Sequence, residues 1–471
     1  MVQARAAADR IFTLEHCGLS LPHLARLARS ELRNGCNPAA ALLDSLALAA
    51  IAAQRSLGLR PHLAQLTATA VLLQGGAAEL GAGEGKSLAL GLAAAVRALA
   101  GSTVHIVTRD EASAIGMAAA LGPLFASLGL TVGVVREAAD AAARREAYRA
   151  DVCHASAGDL MLDHLRDRQQ VPAETTGCRP ELASAMVDDM DAILIDEAVV
   201  PCALPDTRSG CGDAARTTAQ ECTTAQEFFR RYRNLGGVSA TLLESSAEMA
   251  AVYGVAVTAI ASIYPSFRHD LGLKLLASPP DWRRAVVCRI QALVAARRPV
   301  LVATPDPAGS RELAAALLEA GIDAAVVTGT DSTVGPRGRA PAGLPGRVTV
   351  CVDPRGGSEA AALDPYARAA GGLAVIATYL GTSRRDDRRL SQLTGRQGQP
   401  GSFETIAAAP AGLAAMPAPL IRSLVRVSRY LREKAAEFSR RRHARLLAVP
   451  DDPAVPSVRR RHPTLLQTEG R

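Results

Sequence analysis

The sequence has very little lysine, few aromatic residues and no long uninterrupted apolar run. Only three of its 471 residues are lysine, at positions 86, 274 and 434, and aromatic residues make up 3%. No run of about 20 uninterrupted apolar residues occurs, which disfavours a transmembrane protein. The N-terminus has no apolar segment of the secretory type, so we expect no signal peptide. Because arginine has replaced lysine nearly everywhere, a retained lysine is notable.

Cysteine spacing and charge distribution exclude two further classes of protein. None of the nine cysteines forms a CxxC pair, which argues against a zinc ribbon or a disulfide framework. Residues 420–449 hold eight Arg, one Lys and two Glu, a net charge equal to the +7 of the whole chain. The remainder is therefore close to neutral, which disfavours a protein that coats nucleic acid.

The hydropathy pattern predicts two α/β lobes. The first 60 residues are typical of helices, and the nearly continuous apolar run Ala40–Ala53 predicts a buried one. From about residue 70, short β-branched runs alternate with Ala-rich segments, which predicts βαβ units and parallel sheets. The predicted strands are Thr103–Val107, Thr131–Val135, Asp151–Cys153, Ala185–Asp188, Ile193–Ile195 and Val255–Ile260 in the first lobe, and Pro299–Ala303, Ala324–Thr328, Arg347–Val352 and Leu373–Thr378 in the second.

We expect four regions along the chain. The first lobe, with its N-terminal helices, takes residues 1–264, and the second takes residues 265–412. A basic helix follows over 413–450, within which the apolar residues of 420–449 recur at helical spacing. Residues 451–471, with three prolines, are predicted to form a disordered tail. Two internal segments rich in turn-forming residues, Ala203–Cys222 and Thr328–Gly346, are predicted loops.

A glycine-rich segment in the first lobe predicts a phosphate-binding loop. Gly83, Glu84, Gly85, Lys86 and Ser87 precede a helical run and follow the apolar run 71–73, which we interpret as a strand. Glycines let backbone N–H groups surround phosphates, and the helix N-terminus adds partial positive charge. Lys86 would contact the β- and γ-phosphates of a nucleotide, and the Ser87 hydroxyl would bind Mg²⁺. An incidental lysine in a glycine-rich turn is the structural alternative.

Two pairs of neighbouring carboxylates could complete this site. A nucleotide motor needs an Asp at a strand end that faces Mg²⁺ and a neighbouring carboxylate that acts as general base. Asp188 and Asp189 follow one apolar run, and Asp196 and Glu197 follow another. The residues alone favour the second pair, because its apolar run is cleaner. A helix cap or a solvated loop is the alternative for either pair.

With these residues identified, the chain resembles SecA, the ATP-driven motor of bacterial protein translocation, from about residue 30 to about residue 450. Together, the matching blocks are far more specific than a lone phosphate loop. They are LRPHLAQ (59–65), GEGKS (83–87), AYRADVCHASAGDLMLDHLRD (147–167), VDDMDAILIDEA (187–198), FFRRYRNLGGVSAT (228–241) and the GRQG segment at 395–398.

The resemblance implies a fold and a set of site residues. The implied fold is a pair of RecA-like lobes with ATP between them. Asp188 aligns with the Mg²⁺-facing Asp and Asp189 with the general-base Glu. Arg60 and Gln65 lie in the block that recognises adenine, and Gln65 aligns with the residue that contacts its edge. Arg396 aligns with the arginine that stabilises the leaving phosphates from the second lobe.

The resemblance also has gaps. The preprotein-binding domain of SecA has no room between the LIDEA and FFRRY blocks, and most of the C-terminal helical region has no counterpart. Asp189 is one methylene shorter than the expected Glu, and Leu393 stands where the family has another arginine. The family's AGRGTD block has become PRGGSE, in which Glu359 is the nearest acidic residue. We therefore expect nucleotide binding to be better preserved than hydrolysis and coupling.

Three functional hypotheses follow. The first is a pared-down SecA-like ATPase accessory to protein export, which is cytoplasmic or peripheral at the plasma membrane and contacts the translocon or a related protein. The second is a binding module that holds nucleotide but barely hydrolyses it. The third, a nucleic-acid helicase, is disfavoured by the near-neutral lobes. The basic helix could contact acidic lipid or a partner groove, although such a face is more often solvated or packed on its own lobe.

Overall fold

The chain forms two compact units in a computed structural model. The structure describes residues 2–15, 20–34, 38–169, 181–204, 222–327, 343–352, 363–409, 416 and 418–447. Described residues within 1–80, 85–261 and 438–471 belong to the first unit, and those within 81–84 and 262–437 belong to the second. Both units are α/β with parallel sheets, which confirms the predicted fold class.

Four helices open the first unit, and the third is the buried helix predicted from its apolar run. They are α1 (Val2–Glu15), α2 (Leu21–Asn34), α3 (Pro38–Leu57) and α4 (Leu63–Leu73). Among the described residues, only the segment Ala40–Leu57 is long and apolar enough to cross a membrane, and 56% of it is buried within the protein. Its side chains, among them Leu46 and Leu48, pack into the core of the unit, as expected of a core helix.

A seven-stranded sheet forms the centre of the first unit. Its order is β3-β4-β2-β5-β8-β1-β9, and every neighbouring pair is parallel. Its strands are β1 (Ala77–Glu79), β2 (Val104–Thr108), β3 (Val132–Val134), β4 (Val152–Ser156), β5 (Ser184–Asp188), β8 (Asn234–Ser239) and β9 (Val257–Ala259). The helices between them are α5 (Lys86–Leu99), α6 (Glu111–Ser127), α7 (Ala141–Arg149), α8 (Ala157–Gln169), α9 (Ala225–Phe229) and α10 (Ser246–Tyr253).

Side chains of this sheet alternate between two hydrophobic cores. On β2, for example, Val104 and Ile106 join one core and Val107 joins the other. Successive side chains of a strand point to opposite faces, so the sheet is buried on both sides. This explains why its strands are short apolar runs with no polar alternation.

Two predicted strands of the first unit are wrong. The apolar run 71–73 belongs to α4, and β1 is the strand that precedes the glycine-rich loop. The run Ile193–Ile195 lies in a π-helical turn, Ala192–Asp196, whose apolar residues are buried. Apolar periodicity cannot distinguish a buried strand from a buried helical turn over three residues. Both errors have this cause.

A short antiparallel pair of strands flanks the region predicted as a loop. Strands β6 (Pro201–Ala203) and β7 (Cys222–Thr224) pair from Pro201 opposite Thr224 to Ala203 opposite Cys222. The rest of that predicted loop, residues 205–221, lies outside the described part of the chain.

The second unit contains a six-stranded sheet of order β10-β15-β14-β11-β13-β12, again with all pairs parallel. The strands are β10 (Phe267–Leu276), β11 (Val300–Thr304), β12 (Ala324–Val327), β13 (Val348–Val352), β14 (Leu373–Ala377) and β15 (Pro400–Ala408). Its helices are α11 (Pro279–Ala295), α12 (Pro307–Glu319), α13 (Pro365–Ala369) and α14 (Arg384–Ser391). The four predicted strands of this lobe are confirmed, whereas β10 and β15 were not predicted.

The basic segment forms the single long helix predicted from its apolar spacing. Helix α15 runs from Ala418 to Leu446, and its residues from Phe438 onward belong to the first unit. Residues 448–471, which include the predicted tail, lie outside the described residues, as do residues 328–342 of the predicted second loop.

Candidate nucleotide-binding site

A strand, a glycine-rich loop and a helix form the core of the candidate site. After β1, the chain reaches Gly85, which has φ +84° and precedes the first residue of α5, Lys86. Residues with a Cβ atom rarely adopt this left-handed backbone conformation, so glycine is the residue that permits the turn. The first backbone N–H groups of a helix have no partner within the helix and favour anions. The local structure therefore suits a phosphate.

Lys86 lies beside the predicted acidic pair in the first unit. Its Nζ is 3.3 Å from Oδ1 of Asp189, in an ion pair in which the lysine side chain is 20% exposed and the aspartate 44%. Asp189 follows the last residue of β5 and has φ +45°. A non-glycine residue in this region is strained, and such strain clusters at functional sites.

Asp188 lies at the carboxyl end of β5, which is the edge of a parallel sheet where ligands usually bind. Its Oδ1 accepts a hydrogen bond from the backbone N–H of Asp189 at 3.1 Å. Burial and then the neighbouring Asp189 carboxylate raise the pKa of Asp188 to about 6, against the pull of Lys86. Carboxylate oxygens are ligands that Mg²⁺ prefers, so Asp188 is a candidate cation ligand at this edge of the sheet.

Gln65 packs directly against the glycine-rich loop. Its Oε1 accepts a hydrogen bond from the backbone N–H of His62 at 2.9 Å, which caps the start of α4. A Cβ atom added at Gly85 would lie 2.1 Å from the Gln65 Nε2 atom. The structure thus brings Gln65, Gly85, Lys86, Asp188 and Asp189 together. Ser87 and Arg60 are both exposed, and their predicted roles in metal and adenine binding stay predictions.

Three other predicted site residues belong to the second unit. Arg396 lies in a short turn after α14, where its Nε donates to the backbone oxygen of Gln392 at 3.2 Å, and burial lowers the pKa of its guanidinium. Glu84 is buried and accepts a hydrogen bond from Ser262. The backbone oxygen of Gly83 accepts one from Gln397 Nε2 at 2.9 Å. Each contact is internal to this unit, and the predicted role of Arg396 stays a prediction.

In the second acidic pair, Glu197 forms a surface ion pair, and sequence reasoning missed a third carboxylate, Asp191. Arg109 donates to Glu197 at 2.7 Å on the surface. Asp191 is fully buried and accepts hydrogen bonds from the hydroxyls of Ser239, at 2.5 Å, and Thr241, at 2.6 Å. The contacts link the segment after β5 to the last residue of β8, Ser239, and to Thr241 just beyond it. A carboxylate within the apolar stretch 190–195 was the available signal.

The donors present fit Mg²⁺ bound together with a nucleotide. Among the described residues, no group of three or more His, Cys, Asp or Glu could hold a metal alone. Mg²⁺ in nucleotide sites is usually bound through one or two protein oxygens, with phosphates and water completing the shell. The carboxylate of Asp188 and the hydroxyl of Ser87 would supply that number of oxygens.

Solved structures show the fold. A DUF1998 helicase, MrfA, bound to DNA and AMPPNP, matches with a TM-score of 0.55 at 12% identity and covers 81% of this chain and 52% of its own. Dbp5 of S. cerevisiae, bound to RNA and ADP BeF3, matches with a TM-score of 0.50 at 12% identity over 77% of this chain and 87% of its own. At this identity the likeness establishes RecA-like α/β architecture and nothing about ligands.

Sequence comparison finds relatives in the SecA family. The SecA DEAD-like domain matches residues 19–224. The protein translocase subunit SecA 3 of Magnetococcus marinus is 28% identical over 81% of this chain and 78% of its own length. The SecA 2 subunit of Corynebacterium efficiens is 27% identical over 80% of this chain and 65% of its own length. The SecA subunit of Syntrophobacter fumaroxidans is 27% identical over 77% of this chain and 56% of its own length. This chain is therefore a relative of the SecA family.

Proposed function

We propose that this chain is a SecA-like ATP-binding protein of the export apparatus that hydrolyses ATP slowly. The observation that carries the proposal is the ion pair between Lys86, at the start of α5, and Asp189, next to the end of β5. The phosphate groups of a nucleotide would displace the Asp189 carboxylate from Lys86, because phosphate and carboxylate are both anions that compete for the same ammonium group.

Each residue has a defined task in this proposal. Gly85 and the first N–H groups of α5 bind phosphate, and Gln65 supports the loop and contacts adenine together with Arg60. Asp188 and Ser87 hold Mg²⁺, which neutralises charge on the phosphates when it is bound. Arg396 of the second unit stabilises the charge that develops on the phosphates. Gly83 and Glu84 complete the loop.

Slow hydrolysis follows from the side chain expected to orient the attacking water. Asp189 is one methylene shorter than glutamate, and its carboxylate is engaged by Lys86. A misplacement of about 1 Å can cost ~10²-fold in rate. The same observations support the second hypothesis, in which nucleotide is held with almost no turnover and the bound state presents a surface to a partner.

The proposed cellular role comes from the relatives, which are named as protein translocase subunits. We propose that this chain acts in protein translocation, in contact with the Sec translocon or another export protein. We also propose a cytoplasmic location with peripheral attachment to the membrane. A helicase function is less well supported, because the net charge of the chain is concentrated in 420–449 rather than along a nucleic-acid groove.

ATP binding and ATP turnover should be measured on the same preparation. We expect Lys86→Ala to weaken Mg-ATP binding at least 100-fold, with Lys434→Ala as a matched control that binds like wild type. Asp189→Glu should raise turnover if this residue acts as the base, and Asp189→Ala should abolish it. If the wild-type protein binds ATP but turns it over no faster than Asp189→Ala, the ATPase hypothesis is refuted and the nucleotide-binding module is favoured. Unchanged ATP binding in Lys86→Ala would refute both.

A further inference from the structure

Three residues other than glycine have a left-handed backbone conformation in the part of the chain that the structure describes. They are Asp189, at φ +45°, Arg297, at φ +59°, and Gln397, at φ +51°. A residue with a Cβ atom is strained in this conformation and keeps it only where surrounding contacts compensate. Asp189 belongs to the candidate site described above. The other two lie in the second unit and differ in the contacts that compensate for the strain.

The conformation of Arg297 serves to end a helix. Arg297 comes two residues after the end of α11, and its backbone N–H donates to the backbone oxygen of Val294 at 2.9 Å. The N–H of Arg298 donates to the backbone oxygen of Leu293 at 3.0 Å. These two bonds form the Schellman motif, in which a left-handed residue satisfies the last carbonyl groups of a helix. Backbone bonds therefore account for Arg297.

The strained residue Gln397 instead uses its side chain to reach the glycine-rich loop. It lies in the short turn Arg396–Gly398. Its Nε2 donates to the backbone oxygen of Gly83, 314 residues away in sequence, at 2.9 Å. Because strained residues persist where a specific contact requires them, the bond to Gly83 points to a functional role for Gln397.

The start of the glycine-rich loop is held at two successive residues. At Gly83, the turn that carries Gln397 packs closely, since a Cβ atom added to Gly83 would lie 3.5 Å from the Cβ atom of Arg396. The next residue, Glu84, is buried and accepts a hydrogen bond from the hydroxyl of Ser262. All of these contacts are internal to the second unit. They fix the backbone where the chain enters the loop.

The composition of the loop makes this fixing important for a ligand. Gly83 and Gly85 both have positive φ, at +81° and +84°. Glycine has the greatest backbone freedom of all residues, so a loop built on two glycines loses much conformational entropy when it becomes ordered. A loop that is ordered before its ligand arrives loses less entropy on binding, and the affinity is higher for that reason.

We propose that Gln397 is a positioning residue for the phosphate-binding loop. Its amide fixes the loop at Gly83 and thereby raises the affinity for ATP, on which it acts only through the loop. The effect on ATP rests on the proposed function, whereas the fixing of the loop does not depend on nucleotide. Loss of one hydrogen bond of this kind should weaken ATP binding up to about tenfold.

The scarcity of lysine allows the loop to be probed directly. A lysine-specific protease can cut the full chain only after Lys86, Lys274 and Lys434, and it cuts a folded protein where the backbone opens locally. In the nucleotide-free protein, we expect Gln397→Gly to accelerate cleavage after Lys86 at least threefold. Cleavage after the other two lysines is the internal control and should not change.

Gln397→Gly also separates positioning from a merely structural role. Glycine removes the amide donor and relieves the strain at the same time, so the stability measured in urea should change little while ATP affinity falls up to about tenfold. A structural role would lower stability and leave the ATP affinity of the folded molecules unchanged. Arg297→Gly is the matched control, because it relieves the same strain in the same unit. It should alter neither cleavage after Lys86 nor ATP affinity.

A second variant removes the donor without relieving the strain. Gln397→Glu keeps the length of the side chain, but a carboxylate cannot donate a hydrogen bond to the backbone oxygen of Gly83. We expect faster cleavage after Lys86 and weaker ATP binding, as for Gln397→Gly. Gln399→Glu adds the same charge two residues away and should have a much smaller effect on both measurements.

Three results would overturn the proposal. They are unchanged cleavage after Lys86 in both Gln397 variants, an equal effect in either control variant, and faster cleavage with unchanged ATP affinity when the wild-type protein binds ATP. If the wild-type protein does not bind ATP, the proposed function fails. The cleavage rates then decide by themselves whether Gln397 fixes the loop.

Discussion

The two units use their charged residues differently. In the first unit, Lys86 and Asp189 pair beside a phosphate-type loop, and Asp191 is held by two hydroxyls. In the second unit, Arg298 donates to Gly372 and Ser402 and so ties sheet residues together. This chain has only three lysines and many arginines. A lysine in it is therefore a good indicator of a functional site. An arginine is a poor indicator, because arginines also make many structural contacts.

Acid should produce the largest effect and should act on the first unit. Burial lowers the pKa of His105 and of His154 to about 4, below the 6.5 of an unfolded histidine. Above pH 6.5 both histidines are mainly neutral in the folded and in the unfolded protein. As the pH falls from 6.5 to 4, the unfolded state binds protons first, and each histidine removes up to about 3 kcal/mol of stability.

Urea denaturation and hydrogen exchange at pH 7 and pH 5 measure this loss in each unit. We expect His154→Leu to reduce the acid sensitivity, since neither nitrogen of the buried ring has a hydrogen-bond partner among the described residues. His269→Asn, at an exposed position of the second unit, is the control. An equal loss of hydrogen-exchange protection in both units at pH 5 would contradict the expectation that acid acts mainly on the first unit.

Truncation of Arg440 should be the next largest effect. This residue pairs through two hydrogen bonds, at 2.6 and 2.9 Å, with Glu248, which is 3% exposed. Arg440→Ala leaves a buried carboxylate without its partner, at a cost of about 3 kcal/mol. Arg429→Ala in the second unit should cost only about 1 kcal/mol, because Asp387 is more exposed. Equilibrium unfolding checks both, and equal losses would refute this ranking.

A methyl group at Gly85 should damage the candidate site more than the fold. Gly85→Ala places Cβ against Gln65 and forces a non-glycine residue to φ +84°. We expect ATP binding to weaken about 100-fold, equivalent to about 2.7 kcal/mol. Gly116→Ala is the matched control, since no described atom lies within 4 Å of a Cβ built there. Isothermal titration calorimetry with ATP measures the affinity of both variants. If Gly85→Ala binds ATP as tightly as Gly116→Ala, the glycine-rich loop is not part of the ATP site.

Arg396 should give the smallest effect. We expect Arg396→Ala to lower turnover about tenfold, equivalent to about 1.4 kcal/mol of transition-state stabilisation, while ATP affinity changes little. Arg298→Ala should instead lower stability and leave turnover per folded molecule unchanged. If the two variants behave alike, Arg396 is a structural arginine like Arg298.

The sequence by itself determined the α/β class, most strands of both sheets and the helical character of 420–449, because hydrophobic spacing is set by which faces are buried. It also singled out Lys86, through the scarcity of lysine and the adjacent glycines. It could not separate the buried turn at Ile193–Ile195 from a strand. Only the tertiary structure decided that Asp189 pairs with Lys86, that Asp191 holds two hydroxyls and that one side of α15 stays exposed. Each of these depends on groups brought together from distant parts of the chain, which local periodicity does not encode.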